Sequence, residues 1–538
     1  AEPARSDGSR RTPRRRRRVA TNAAATAVSR EDPTDATQAP RADDDDDDDD
    51  ACFAKLCRRT SPAYPFDDAA PAVETTEGLL RPRVLWPVVW SVLQALPALA
   101  WALIGALVRH LMGLKPDDGV VLRHADTARN RLLAKRLRET LTRQPPPTGW
   151  CAGGDLATLV PFLLFSPKDP PVAYARRWLR VARAPAPDGA AGFARRGGRA
   201  DDEAVALDVA RPDTQKPGAP VVLVLHGLNG GSAEAYVQDL VTHVTAKGGV
   251  ACVLVARGLM ATPVRDDLFH GGRTSDVAAA VDALRESYGD RIVLVGISMG
   301  GIVALNYTAR AGKGCGLQAC VALSGTTCSE VVLGPAGRRS RRLWQPMLAW
   351  YLKQSFLAPR RLLLRRRRVD ETPVALAGTI DAFDATLVCP FHGYPGVAGP
   401  GGYYEDMSAA GSGDENGRNK LRRIAVPTLV LHAADDPIVP VESCLPDACA
   451  AADHVVCCAT AGGGHTGWPR GADPRIHRWG FMLDLAFDFG TAALATAPFR
   501  VDLGDGPVFD KNHLPRQTER SRAARSAAGH APPPPGAV

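Results

Sequence analysis

The run Ile292-Val293-Leu294-Val295-Gly296-Ile297-Ser298-Met299-Gly300-Gly301 constrains the fold of this 538-residue chain more than any other segment. A short β-branched stretch leads into G-x-S-x-G, and an alanine-bearing helical pattern follows from Ile302 to Arg310. A strand that turns straight into a helix at a serine leaves no room for bulky neighbours. Glycines on both sides let the backbone bend sharply and lift the hydroxyl clear of a sheet. That hydroxyl is a weak nucleophile at neutral pH, so the chain must also supply a base, an orienting carboxylate and donors for an oxyanion.

Those partners can be located in chain order. The apolar run Val221 to Leu225 is followed by His226-Gly227-Leu228-Asn229-Gly230-Gly231. In a sheet hydrolase the turn after this strand supplies one oxyanion N–H and the residue after the nucleophile supplies the other, which designates Leu228 and Met299. Further on, Thr428 to Leu431 reads as a strand, and Asp435 and Asp436 follow it. Asp436 is preferred as the acid because it stands directly before Pro437-Ile438-Val439-Pro440, with Asp435 stiffening the loop. The glycine turn Gly462-Gly463-Gly464 then presents His465 as the base. His432 is expected to close its strand, not to act as a second base, and His454 is expected at the surface. This chemistry calls for no metal and no organic cofactor.

Short apolar runs at Leu223–Leu225, Ala251–Val255, Ile292–Val295, Ala319–Leu323 and Thr428–Leu431 are separated in several places by helical patterns such as Asp276–Tyr288. That alternation predicts an α/β fold, a mostly parallel sheet covered by helices on both faces. Between Ser324 and Pro427 it breaks, so about 326–425 is expected to form an inserted lid. The net charge of +8 comes from runs of opposite sign, and aromatic residues make up only 6%, which argues against a nucleic-acid partner. Twelve cysteines in so long a chain do not make a disulfide scaffold and read as buried thiols.

The N-terminal third has a different character. Arg10 to Arg18 is strongly basic and Asp43 to Asp50 strongly acidic, so residues 1–80 are expected to be disordered, with the first 30 compatible with a transit peptide. Val84 to Val108 carries no charge; as a helix it would measure about 37 Å, enough to cross a hydrocarbon core. Pro97 in its middle leaves three readings open, a kinked transmembrane span within 84–110, a monotopic hairpin or re-entrant anchor, or a buried core helix. The flanking charges do not orient it. Residues 122–145 read as a basic amphipathic helix ending at Pro145, the hydrolase domain is expected over 115–500, and 516–538 is expected to be a disordered tail.

Taken in order, Gly296–Gly300, Thr379-Ile380-Asp381-Ala382-Phe383-Asp384, His392-Gly393-Tyr394, Tyr403-Tyr404, Asp435-Asp436-Pro437 and Gly463-Gly464-His465 resemble the YheT-like branch of the α/β-hydrolases. That branch includes the mammalian abhydrolase-domain proteins 1 to 3 and plant embryogenesis-associated hydrolases. Arg257-Gly258 and Thr274–Val277 fit as well. The resemblance covers roughly 115–490 and implies a triad of Ser298, Asp436 and His465, with an N-terminal anchor and lipid-ester or phospholipid hydrolysis as in the animal members. Two departures stand out: a polar insertion at Gly411–Arg418 and an unusually basic stretch at Arg338–Arg368.

The expected activity is therefore a serine hydrolase on carboxylic esters, with lipid as partner and a membrane as its place, the endoplasmic reticulum or chloroplast being the candidate organelles. An acyltransferase on the same triad and a non-catalytic lipid-binding scaffold are the alternatives. In the lid, Trp344, Met347, Leu348, Trp350, Tyr351 and Leu352 lie near Arg338, Arg339, Arg341 and Arg342, a pattern expected either to meet anionic headgroups or to pack on the sheet domain.

Overall fold

The computed structural model describes residues 46–66, 82–181, 203–260, 262–265, 267–394, 400–411 and 419–496. The arginine run at 10–18, the proposed transit peptide, the C-terminal tail and most of the Gly411–Arg418 insertion lie outside them. Nine strands form one sheet in the order β1-β9-β8-β7-β6-β4-β5-β3-β2. They are β1 (Val120–His124), β2 (Ala175–Val181), β3 (Glu203–Ala210), β4 (Val221–Leu225), β5 (Val250–Val255), β6 (Ile292–Ile297), β7 (Ala319–Leu323), β8 (Thr428–Ala433) and β9 (Val455–Thr460). Neighbours from β5 through β4, β6, β7 and β8 to β9 pair in parallel, while β1, β2 and β3 pair antiparallel at the two edges.

The parallel strands are buried at almost every position because both faces are covered. Val222, Val224, Val293 and Val295 point to one face, where they pack with α3 (Ala128–Thr142), α5 (Ala235–Ala246) and the C-terminal helix Gly480–Ala495. Val221, Leu223, Ile292 and Leu294 point to the other, against α6 (Ser275–Tyr288) and α7 (Met299–Ala311). A period of two in the strands thus meets two apolar helix layers.

Two expectations need correction. Residues 46–66 of the segment expected to be disordered are folded: α1 (Asp46–Arg59) buries Cys52 and Leu56 against α6 and the sheet. The acidic block does not prevent this, because its last residues open the helix, where negative charge meets the positive end of the helix dipole, and Arg58 and Arg59 close it. The expected helix over 122–145 begins only at Ala128, after Thr127 accepts the Asn130 N–H as its cap. Val120–His124 instead alternates between half-buried and exposed positions as an edge strand on β9.

Between β7 and β8 the chain leaves the sheet for about a hundred residues and builds a cap of short helices. Their apolar side chains, among them Leu352, Phe356, Phe383, Leu387 and Tyr403, form a cluster with Leu259, Val264 and Leu268 of the body. Two turns of this cap, Lys353–Leu357 and Asp384–Val388, are π-helical. The apolar N-terminal segment is a single helix, α2 (Pro82–Leu111), continuous through Pro87 and Pro97.

Candidate active site

Ser298 sits between β6 and α7 with φ 55° and ψ −116°, a backbone conformation that an L-residue adopts only when its surroundings impose it. The glycines make the turn: a Cβ on Gly296 would lie 2.2 Å from Gly300 O, and one on Gly300 would lie 2.1 Å from Leu225 O. Strand β6 therefore ends against the first turn of α7, and the hydroxyl is held at the C-terminal edge of the sheet.

His465 Nε2 lies 2.8 Å from Ser298 Oγ, and His465 Nδ1 lies 2.7 Å from Asp436 Oδ2. An ionised carboxylate only accepts, so Nδ1 carries the ring proton and Nε2 is left to accept from the serine hydroxyl. The other oxygen of Asp436 accepts N–H groups from Ile438 and Val439, each at 2.8 Å. Burial raises the Asp436 carboxyl, but the His465 charge and hydrogen bond, His432 and the Val439 N–H outweigh it and hold the group below the ordinary carboxylate range. Asp435 goes the other way: burial pushes it up despite the Gly464 N–H that it accepts at 2.8 Å. The two adjacent carboxylates thus divide into one turned to the histidine and one that ties down the histidine's own loop.

His432 is fully buried at the end of β8, and its Nε2–H donates to Val439 O at 2.9 Å. Burial lowers its pKa, which keeps it neutral and consistent with closing the strand. His454 is half-buried, not exposed, with its Nδ1 2.9 Å from Arg129 Nη1. His226 Nε2 accepts the Ala256 N–H at 3.1 Å, and Gly227 N–H donates to Tyr236 Oη at 2.9 Å, so both sides fix the turn that carries Leu228. A Cβ on Gly227 would come within 3.5 Å of Ser298 Cβ, which sets this turn directly against the serine turn. Leu228 and Met299 both line the cavity that opens there.

Two supporting residues carry no sequence motif. Thr158 Oγ1, on α4 (Gly154–Leu164), accepts the His465 N–H at 2.7 Å, and Ser324 Oγ accepts the Thr466 N–H at 3.0 Å. Each comes from a segment remote in sequence from His465, so spacing could not reveal it. Other motif residues brace the fold. Arg257 pairs with Asp276 at 2.6 Å in the interior, Tyr403 Oη accepts the Gly271 N–H at 2.8 Å, and Tyr394 Oη donates to Asp406 at 2.7 Å.

The cavity lies between the body and the cap. Leu352, Phe356, Phe383, Leu387 and Phe391 make its wall apolar, while Asp384, His270 and His392 add polar groups. Three of the four clustered cap arginines are engaged within the chain. Arg339 binds Asp155, which also accepts Trp344 Nε1–H at 3.0 Å; Arg341 donates to Gly334 O at 2.8 Å; Arg342 bonds Gln94.

A family model described as alpha/beta hydrolase fold matches residues 220–467. The monoacylglycerol lipase of Saccharomyces cerevisiae is 28% identical over 272 residues, covering 48% of this chain and 57% of the relative. Phospholipase ABHD3 of Mus musculus is 28% identical over 266 residues, covering 48% of this chain and 60% of the relative. Embryogenesis-associated protein EMB8 of Picea glauca is 26% identical over 264 residues, covering 47% and 54%. The chain thus spans less than two thirds of the length of these relatives. Sheet order, serine turn and family match together define an α/β-hydrolase fold. Over 220–467 the chain is similar to that family, and the proteins it is similar to include the ABHD3 and EMB8 proteins that its ordered motifs resemble.

Proposed function

We propose that this protein is a serine hydrolase that cleaves carboxylic esters of lipids at a membrane surface. The observation that carries the reading is the unbroken chain from Ser298 Oγ through His465 to Asp436, at 2.8 and 2.7 Å, at the edge of an apolar cavity. Relatives named as a lipase and a phospholipase support the choice of lipid among esters. In this mechanism Ser298 Oγ attacks the acyl carbonyl while His465 Nε2 takes its proton. The Leu228 and Met299 N–H groups stabilise the tetrahedral oxyanion, and Asp436 stabilises the imidazolium. Collapse expels the alcohol, which takes the proton from His465. Water then enters, His465 takes one of its protons, and the acyl-enzyme is split to free acid and Ser298.

We assign the hydrolase domain to about 115–500 with the cap over about 326–425, and the membrane contact to α2. A fluorophosphonate probe tests the enzyme: it should label the wild type and spare Ser298→Ala. A folded wild type that resists labelling would sink the reading. Lipid profiling of cells expressing the two forms then reports which esters accumulate when Ser298 is lost.

A further inference from the structure

Among the described residues α2 is the one helix long and apolar enough to cross a membrane, yet both of its flanks fold into the same body. Before it, α1 is buried on α6, Ser61 and Trp178 of β2 exchange backbone hydrogen bonds at 2.8 and 2.7 Å, and the Tyr64 ring lies 4.9 Å from that of Trp178. After it, the chain enters β1, which pairs with β9. A helix that crosses a bilayer once separates its flanks, so one crossing is incompatible with this connectivity. The segment between Phe66 and α2 offers no return span, since 67–81 carries Asp67, Asp68, Glu74, Glu77 and Arg81.

The 30 residues of α2 measure about 45 Å. The helix lies against the short helices of the cap, α4 and the turn Gly149–Cys151. It touches the body along its length. Pro87 packs by Gly378, Gln94 bonds Arg342, Leu99, Ala102 and Ala106 meet Cys151, Leu156 and Val160, and Arg109 donates to Ala152 O at 3.2 Å. A spanning α2 would drag Asp155, Arg339 and Arg342 into hydrocarbon with it.

The outer face is apolar without interruption. Trp86, Leu93, Leu96, Trp101, Ile104 and Leu107 are all about half exposed or more, Trp101 most of all at 73%. At 100° per residue they fall within a sector of about 140°. The neighbouring α4 adds exposed Phe162, Leu163 and Leu164.

We propose that α2 does not cross the bilayer but lies in its plane, strapped across the hydrolase body, with its outer face sunk into one leaflet. The occupant of that face is the lipid surface, which matches its charge-free composition with Trp86, Trp90 and Trp101 exposed. Both flanks and the Ser298 site then stand on one side of the membrane. The proposal rests on the membrane contact under Proposed function, and its test separates the two.

Sealed microsomes from cells expressing the full chain, with one epitope inserted between Ala70 and Pro71 and another after Val538, would be treated with protease without detergent. Both epitopes should share one fate, cleaved together or protected together, while the chain sediments with the membranes. One cleaved and one protected would overturn the in-plane arrangement and leave the membrane contact standing. Recovery of the chain in the supernatant, whether as a monomer or as a dimer covering the face with a second copy, would overturn both. As a second arm, purified Trp101→Glu/Ile104→Glu/Leu107→Glu protein should float with phosphatidylcholine vesicles at least about 10-fold less than wild type at an unchanged melting temperature. Equal flotation would remove the outer face from the contact.

Discussion

Ser298, Asp436 and His465 hang from the ends of strands that are buried at almost every position, whereas the cavity beside them, lined by Leu228 and Met299, is walled by short helices and two π-helical turns. The difference is one of constraint. Around Ser298 a single added methyl would collide with backbone at 2.1 to 2.2 Å, so position is fixed by main chain that cannot give way. In the cap, position is fixed by side-chain packing of Leu352, Phe356, Phe383 and Leu387, and a π-turn inserts a residue without breaking the element. On the proposed function, reaction chemistry and substrate choice are thereby carried by parts of the molecule that tolerate change very differently.

If the comparison holds, substitutions on the sheet edge lower the rate for every ester alike. Ser298→Ala should give the largest effect, a loss in kcat on the order of 10⁴–10⁶ together with loss of fluorophosphonate labelling. Asp436→Asn should come next, at about 10⁴, because the amide can no longer hold His465 in the tautomer whose Nε2 accepts from serine. Asp435→Asn should cost less than about 10-fold, since its amide oxygen still accepts the Gly464 N–H and only the ionisable group is lost. Steady-state kinetics on one soluble ester rank all three, and a reversed order of the aspartates would transfer the acid role to Asp435. Thr158→Val removes the acceptor of the buried His465 N–H; a melting shift equivalent to about 1–3 kcal/mol should accompany a kcat loss of about 10-fold, with KM little altered.

These same residues show what was legible in the sequence. Ser298 and His465 announce themselves because glycines are demanded by backbone geometry, and backbone geometry leaves a local signature. The alternation of apolar runs fixed the sheet for the same reason. Thr158 and Ser324 left no trace, since each meets the histidine loop across a long sequence separation and needs only one hydroxyl. Residues 46–66 were misread because charge density describes an isolated segment, and α1 owes its order to a groove on α6 that no local window contains. For α2, composition left a span, an in-plane anchor and a core helix open, and the choice among them depends on where the two flanks fold.

Cap substitutions should sharpen the comparison from the other side by changing preference more than rate. Phe383→Ala enlarges the apolar wall, and the ratio of kcat/KM for a long-chain against a short-chain ester should move by about 10-fold, the scale expected of a reshaped hydrophobic pocket. A uniform fall across chain lengths would mean that the cap acts on the triad and not on the acyl chain.

The smallest expected effect concerns Asp384, which lies on the cavity wall in a π-turn. Burial pushes its carboxyl up to about 8; the Tyr404 hydroxyl, donating at 2.9 Å, draws it back only in part, and Asp381 adds to the rise. The folded value lies above the unfolded value of about 3.9, so between about pH 4 and pH 8 the native state holds a proton that the unfolded chain has released. The stability contributed by the protonated group is thus complete below about pH 4 and is lost as pH rises through 8. Asp384→Asn keeps an acceptor for Tyr404 but cannot ionise. Its melting temperature should therefore fall less than that of the wild type between pH 5 and pH 9, and the wild-type KM for a long-chain ester should rise above pH 8, as a charge appears in the apolar wall, while that of the variant stays level. Parallel melting curves and parallel KM profiles would show that the carboxyl is already ionised at neutral pH and that the cap tolerates a charge there, which would narrow the contrast between a rigid catalytic edge and a purely apolar acyl wall.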